Sequence, residues 1–72
     1  MKTKPVIRVT WLDAVRTDGS TSGLKPAKCV TVGYLVKDAT NYIVVAMDKN
    51  PADGHRVGLA IPRGMILHAE FL

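Results

Sequence analysis

The sequence predicts a small all-β domain of five strands closed into a barrel. Two observations carry that expectation. Apolar residues alternate with polar ones at a period of two in several short runs, and glycine, proline or Asx turn signals separate the runs. No amphipathic stretch of ten or more residues at helical spacing is present.

The first strand is read from Ile7, Val9 and Trp11, which alternate with Arg8, Thr10 and Leu12 and so form one apolar row. Residues 13–26 follow as a long loop of small polar residues centred on Thr17-Asp18-Gly19-Ser20-Thr21-Ser22-Gly23. A second strand spans 27–37, with Val30 and Val32 in register and Tyr34, Leu35 and Val36 after them. Gly33 interrupts its alternation and marks a bend or bulge at a barrel corner. After a short turn over 37–41, Tyr42-Ile43-Val44-Val45-Ala46-Met47 makes a β-branched third strand expected to be covered on both faces. Asn50-Pro51 and Asp53-Gly54 then close a hairpin. Val57, Leu59 and Ile61 define a fourth strand, stopped by Pro62-Arg63-Gly64. Residues 66–72 form the last.

A long loop, a short turn, a hairpin and a one-turn break make the connection pattern of an SH3-like barrel, with a 3₁₀ turn expected near Pro62–Met65. An Sm-type barrel is the nearest competitor, but it opens with a helix, and here the first strand starts by residue 6. The 72 residues, 7.8 kDa, fit a single domain over 1–72. A chain of this length buries only roughly 60% of its unfolded surface, which leaves little wall for a deep catalytic cleft.

Four blocks carry a resemblance: Val9-Thr10-Trp11-Leu12-Asp13-Ala14, Val32-Gly33-Tyr34-Leu35-Val36-Lys37, Tyr42-Ile43-Val44-Val45-Ala46, and Ile61-Pro62-Arg63-Gly64-Met65-Ile66. Together they resemble a group of tiny, mostly uncharacterised bacteriophage proteins with SH3-like or Sm-like barrels. The resemblance implies a phage origin and a β-barrel, and it supplies no catalytic residues. It sets the expected location as the cytoplasm of the infected bacterial host cell.

Composition narrows the chemistry. Hydrophobic residues make up 47% and charged residues 22%, an ordinary globular mixture, so wholesale disorder is not expected. No apolar run approaches the ~20 residues that span a bilayer, and the first residues lack a signal-peptide core, so no membrane association is expected. One cysteine permits no internal disulfide and no multi-thiolate zinc site, and favours a reducing compartment. A Cys–His nucleophile would need Cys29 beside His55 or His68, but Cys29 lies early in an apolar strand where a free cysteine packs as a small hydrophobe. The two histidines read as surface or strand-end residues, and Ser20 and Ser22 lie in a loop with no oxyanion site. Asp48 and Asp53 are explained by turn chemistry. The expectation is a protein that is not an enzyme, with no metal and no cofactor.

Binding remains. The formal charge is +4 overall, and all of it falls in residues 1–28, where six bases meet two acids. Such an excess attracts nucleic acid, a nucleotide or an acidic host protein, although it also suits a merely solvated surface. Trp11 could form a stacking shelf flanked by Arg16, Lys25 and Lys28, or continue the Ile7/Val9 row into the core. Arg63 in the proline turn is a further ligand candidate. The apolar runs over 42–47 and 65–72 exceed what one small interior absorbs, so a homo-oligomer is expected, with Tyr42, Val44, Met65, Leu67 and Phe71 at the interface. The expected function is a non-catalytic phage accessory binding protein acting on an anionic partner, in host takeover or counter-defence. The rival is a structural or assembly module of the virion with no ligand.

Overall fold

A computed structural model describes residues 4–52 and 54–72. Five strands appear in chain order: β1 (Val6–Asp13), β2 (Ala27–Asp38), β3 (Tyr42–Asn50), β4 (Gly54–Pro62) and β5 (Ile66–Phe71). A single 3₁₀ turn, Arg63–Met65, separates the last two, at the place the proline signal predicts. All pairings are antiparallel, in one sheet of order β4-β3-β2-β1-β5. Among the described residues the two end strands, β4 and β5, do not pair with each other. The sheet is open.

β2 is the strand that joins the two halves of the sheet. Its first part, Ala27 to Tyr34, pairs with β1, and its last part, Tyr34 to Asp38, pairs with β3. The partner changes next to Gly33. A Cβ there would stand 2.5 Å from the Ala46 carbonyl oxygen and 2.8 Å from Val45 Cγ1. The glycine is therefore needed for close backbone approach and not for a left-handed φ, which among the described glycines occurs at Gly23 and Gly54. A register shift at Val36 adds a bulge three residues after Gly33, which sharpens the turn of the strand.

The core is built by the period-two rows of three strands. Ile7 and Val9 from β1, Ile43 and Val45 from β3, and Ile61 from β4 are buried, with Trp11, Leu35, Leu59 and Ile66 packed at their margin. β2 contributes differently from its apparent pattern. Its pairing sets Gly33 opposite Ile7 and Thr31 opposite Val9, so Thr31 and Gly33 point inward. Val30 and Val32 stand on the outer face, 62% and 48% exposed. The ladder register, not the identity of the β-branched residues, decides the face.

β3 also departs from expectation. It is not covered on both faces: Ile43, Val45 and Ala46 are buried, Tyr42 and Val44 are half-buried, and Met47 is exposed. It runs on to Asn50, and β4 begins at Gly54, so the hairpin is longer and its turn tighter than the sequence suggests. Asn50 caps that turn by accepting the Ala52 N–H at 2.8 Å. The expected turn residue Asp53 lies outside the described residues, as does Lys2. His55 lies against Tyr34, ring centroids 4.9 Å apart, and ties the hairpin to the bend of β2.

Candidate functional site

Two surfaces hold the residues that the sequence singles out. The first is the end of the sheet where the 14–26 loop leaves β1 and enters β2. Asp13 pairs with Ala27, Leu12 with Lys28 and Trp11 with Cys29, so the loop ends do converge. Strand alternation nevertheless separates the charges from the aromatic ring. Lys28 shares the outer face with Leu12, whereas Trp11 shares the inner face with Cys29. The indole is half-buried against the core, and its Nε1–H donates to the Thr31 hydroxyl at 3.0 Å. That bond satisfies the one buried polar side chain of β2. Trp11 packs at the margin of the core, on the opposite face of the sheet from Lys28.

The arginine candidates are likewise engaged. Arg16 pairs with Asp18 at 3.2 Å within the loop, with both side chains almost fully in solvent. Arg63 donates from Nε to the Ala39 carbonyl at 2.9 Å and forms an ion pair with Asp38. It clips the 3₁₀ turn to the β2–β3 turn, so its charge is neutralised locally. Arg8 pairs with Glu70 across β1 and β5, and Arg56 with Asp48 across the β3–β4 hairpin. The Arg8 guanidinium, by hydrogen bond first and by charge second, holds the Glu70 carboxyl below the usual carboxylate range. Among the described residues, neither Lys25 nor Lys28 has an acidic partner. The same holds for Lys4, Lys37 and Lys49, so the unpaired positive charge sits on the lysines, two of which flank Pro26 at the loop-to-β2 junction, and not on Arg16 or Arg63.

The second surface is a cleft of about 320 Å³ on the inner face, between β5 and the β2–β3 turn. Ile7, Leu35, Ile43, Ile66, Ala69 and Phe71 line it, with Arg63 and Asp38 at its edge. Because those two charges cancel, the cleft suits an apolar group and offers no net attraction to an anion. Of its lining residues, the sequence marks Ile7 and Ile43 as strand residues of the interior, Phe71 as an interface candidate and Arg63 as a ligand candidate, and does not bring them together. They line a surface because the edge strands β4 and β5 do not pair among the described residues, which no local pattern encodes.

The interface candidates divide. Met65, Leu67 and Phe71 are exposed on and beside β5, and Leu72 continues the row, whereas Tyr42 and Val44 are half-buried on β3. Lys37 Nζ lies 5.2 Å from the Tyr42 ring centroid and covers part of it.

The Cys29 thiol faces the Ala27 carbonyl at 3.8 Å. Among the described residues there is no group of three His, Cys, Asp or Glu side chains placed to hold a metal ion. None of their helices is long and apolar enough to cross a membrane. Comparison with protein-family models, curated proteins and solved structures gave no match to this chain.

Proposed function

We propose that this chain is a non-catalytic binding protein of phage origin, an SH3-like barrel that works as a homo-oligomer on an anionic partner. The strand order β4-β3-β2-β1-β5, the sharing of β2 between both halves and the 3₁₀ turn before β5 all support the barrel reading. The observation that carries the anionic partner is electrostatic. Every arginine has an acidic partner, while none of the described lysines does, and two of these, Lys25 and Lys28, stand three residues apart at one end of the sheet. Of the anionic partners expected, single-stranded nucleic acid suits a lysine pair beside a long exposed loop best, since backbone phosphates need charge but little shape.

The test is titration of a labelled single-stranded oligonucleotide at several salt concentrations. It uses the wild type and a variant carrying Arg16→Ala, Lys25→Ala and Lys28→Ala. Phosphate binding weakens steeply with salt, and removing two or three contacts should flatten the log–log slope by about 1.5 to 2. Because these side chains are exposed, the melting temperature should hardly move. Unchanged binding in the triple variant would refute the lysine site.

The rival reading, a structural or assembly module, draws on a different observation. Met65, Leu67, Phe71 and Leu72 leave an exposed apolar row along β5. Docking through that row would resist salt, which separates the two readings in the same experiment.

A further inference from the structure

We propose that the open edge of β5 pairs with β5 of a second copy, antiparallel and two-fold symmetric about Ala69, and that this pairing closes the inner cleft. The inference rests on the homo-oligomer reading above and specifies its surface, symmetry and register.

The backbone comes first. Leu72 N–H donates to the Val6 carbonyl at 2.9 Å, which sets the alternation of the β1–β5 ladder. Residues 72, 70 and 68 turn their N–H and C=O groups toward β1, so those of Ala69 and Phe71 point to the free edge. An edge of this kind is a template for another strand. Nothing blunts it: the strand has no proline, and its one acid is held by Arg8 on the outer face.

The side chains then choose the partner. The segment Leu67-His68-Ala69-Glu70-Phe71 is a palindrome in chemical type: apolar, basic, alanine, acidic, apolar. Antiparallel pairing about Ala69 sets His68 opposite the second copy's Glu70, and Leu67 opposite its Phe71. Both pairs occur twice, by symmetry. An imidazole facing a carboxylate can donate a hydrogen bond to it, and opposed apolar side chains stabilise a ladder. Leu67 and Phe71 are 54% and 65% exposed in the single chain, an unusual state for residues of that size. Ala69 and Phe71 also line the cleft, so a strand laid beside them covers its mouth.

Two variants test the pairing. Ala69→Cys, made with Cys29→Ala, brings the two new thiols together across the symmetry axis. A hydrogen-bonded antiparallel pair has Cα atoms about 5.5 Å apart, inside the range a disulfide bridges. Mild oxidation should give a covalent dimer in high yield, whereas Val30→Cys in the same background should give little. Ala69→Pro removes an N–H aimed at the free edge and none aimed at β1, so the fold should persist by circular dichroism. Its dimer dissociation constant in sedimentation should rise by at least roughly tenfold. A wild type that sediments as a 7.8 kDa monomer at micromolar concentration would overturn both this pairing and the homo-oligomer reading. A stable oligomer in which Ala69→Cys does not cross-link and Ala69→Pro has no effect would overturn the β5 pairing alone.

Discussion

Gly33→Ala is the sharpest test of how β2 turns between its two partners. The new methyl carbon would stand 2.5 Å from the Ala46 carbonyl oxygen and 2.8 Å from Val45 Cγ1. Ordinary contact begins near 3.4 Å, and the obstructing oxygen belongs to the backbone, so no side-chain rotation relieves the overlap. β3 has to move away from β2 by most of an ångström. Overpacking of this kind costs about 1–3 kcal/mol, and loosening the Tyr34–Ala46 pairing adds about 1 kcal/mol for each hydrogen bond weakened. Against that, alanine stiffens the unfolded chain and recovers about 0.5–1 kcal/mol. The net loss is about 2 kcal/mol, a large share of the roughly 4–10 kcal/mol expected for a domain of this size. Gly33→Val should lose more, because its two further methyl groups meet the same wall.

Gly58→Ala is the internal control. A Cβ at Gly58 meets Val44 Cγ1 at 3.5 Å, an ordinary contact, so this change should be neutral or stabilising by up to about 1 kcal/mol. The assay is urea denaturation followed by Trp11 fluorescence, at one fixed protein concentration so that any association contributes equally. Equal midpoints for Gly33→Ala and Gly58→Ala would refute the close-approach account of the bend.

Three further outcomes are expected. Val57 has φ of 56° although it is β-branched and exposed, so Val57→Gly should relieve strain and raise stability by about 1 kcal/mol, or roughly 4–8 °C in melting temperature; a fall in melting temperature would show that the hairpin tolerates that backbone without strain. Trp11→Phe keeps the ring but leaves the buried Thr31 hydroxyl without its donor, and should cost about 1–3 kcal/mol in thermal or urea melts. Glu70 is held below its ordinary pKa by Arg8, so its contribution to stability is present above about pH 4.3 and is lost as pH falls through the lowered value. Urea midpoints measured from pH 6 to pH 3 should therefore fall less for Arg8→Met than for the wild type, and parallel curves would exclude the pair as a source of acid lability.

Local pattern was enough for the strands whose faces are unambiguous. Ile7 and Val9 in β1, and Leu59 and Ile61 in β4, are apolar at every second position, and a strand has only two faces, so their inward face followed from periodicity, whereas the unbroken apolar run of β3 did not show which of its faces holds Ile43 and Val45. The 3₁₀ turn followed from Pro62 and Gly64, whose backbone limits act within a few residues. Val30 and Val32 show where such reasoning stops. Their face depends on which residues of β1 they oppose, and that register is a property of two segments joined by a 13-residue loop. The same register took Trp11 away from Lys28 and into contact with Thr31. Arg63 found its acid 25 positions away, at a turn brought near only by the packing of β3 between β2 and β4. The lysine excess at 25 and 28 was legible as composition, but its isolation from acidic partners was not. The β5 row was legible as surplus hydrophobicity, yet only the open sheet turned it into a free edge beside a cleft. Charge, period and turn chemistry act along the chain; register, pairing and exposure arise between distant segments, and there the tertiary structure decides.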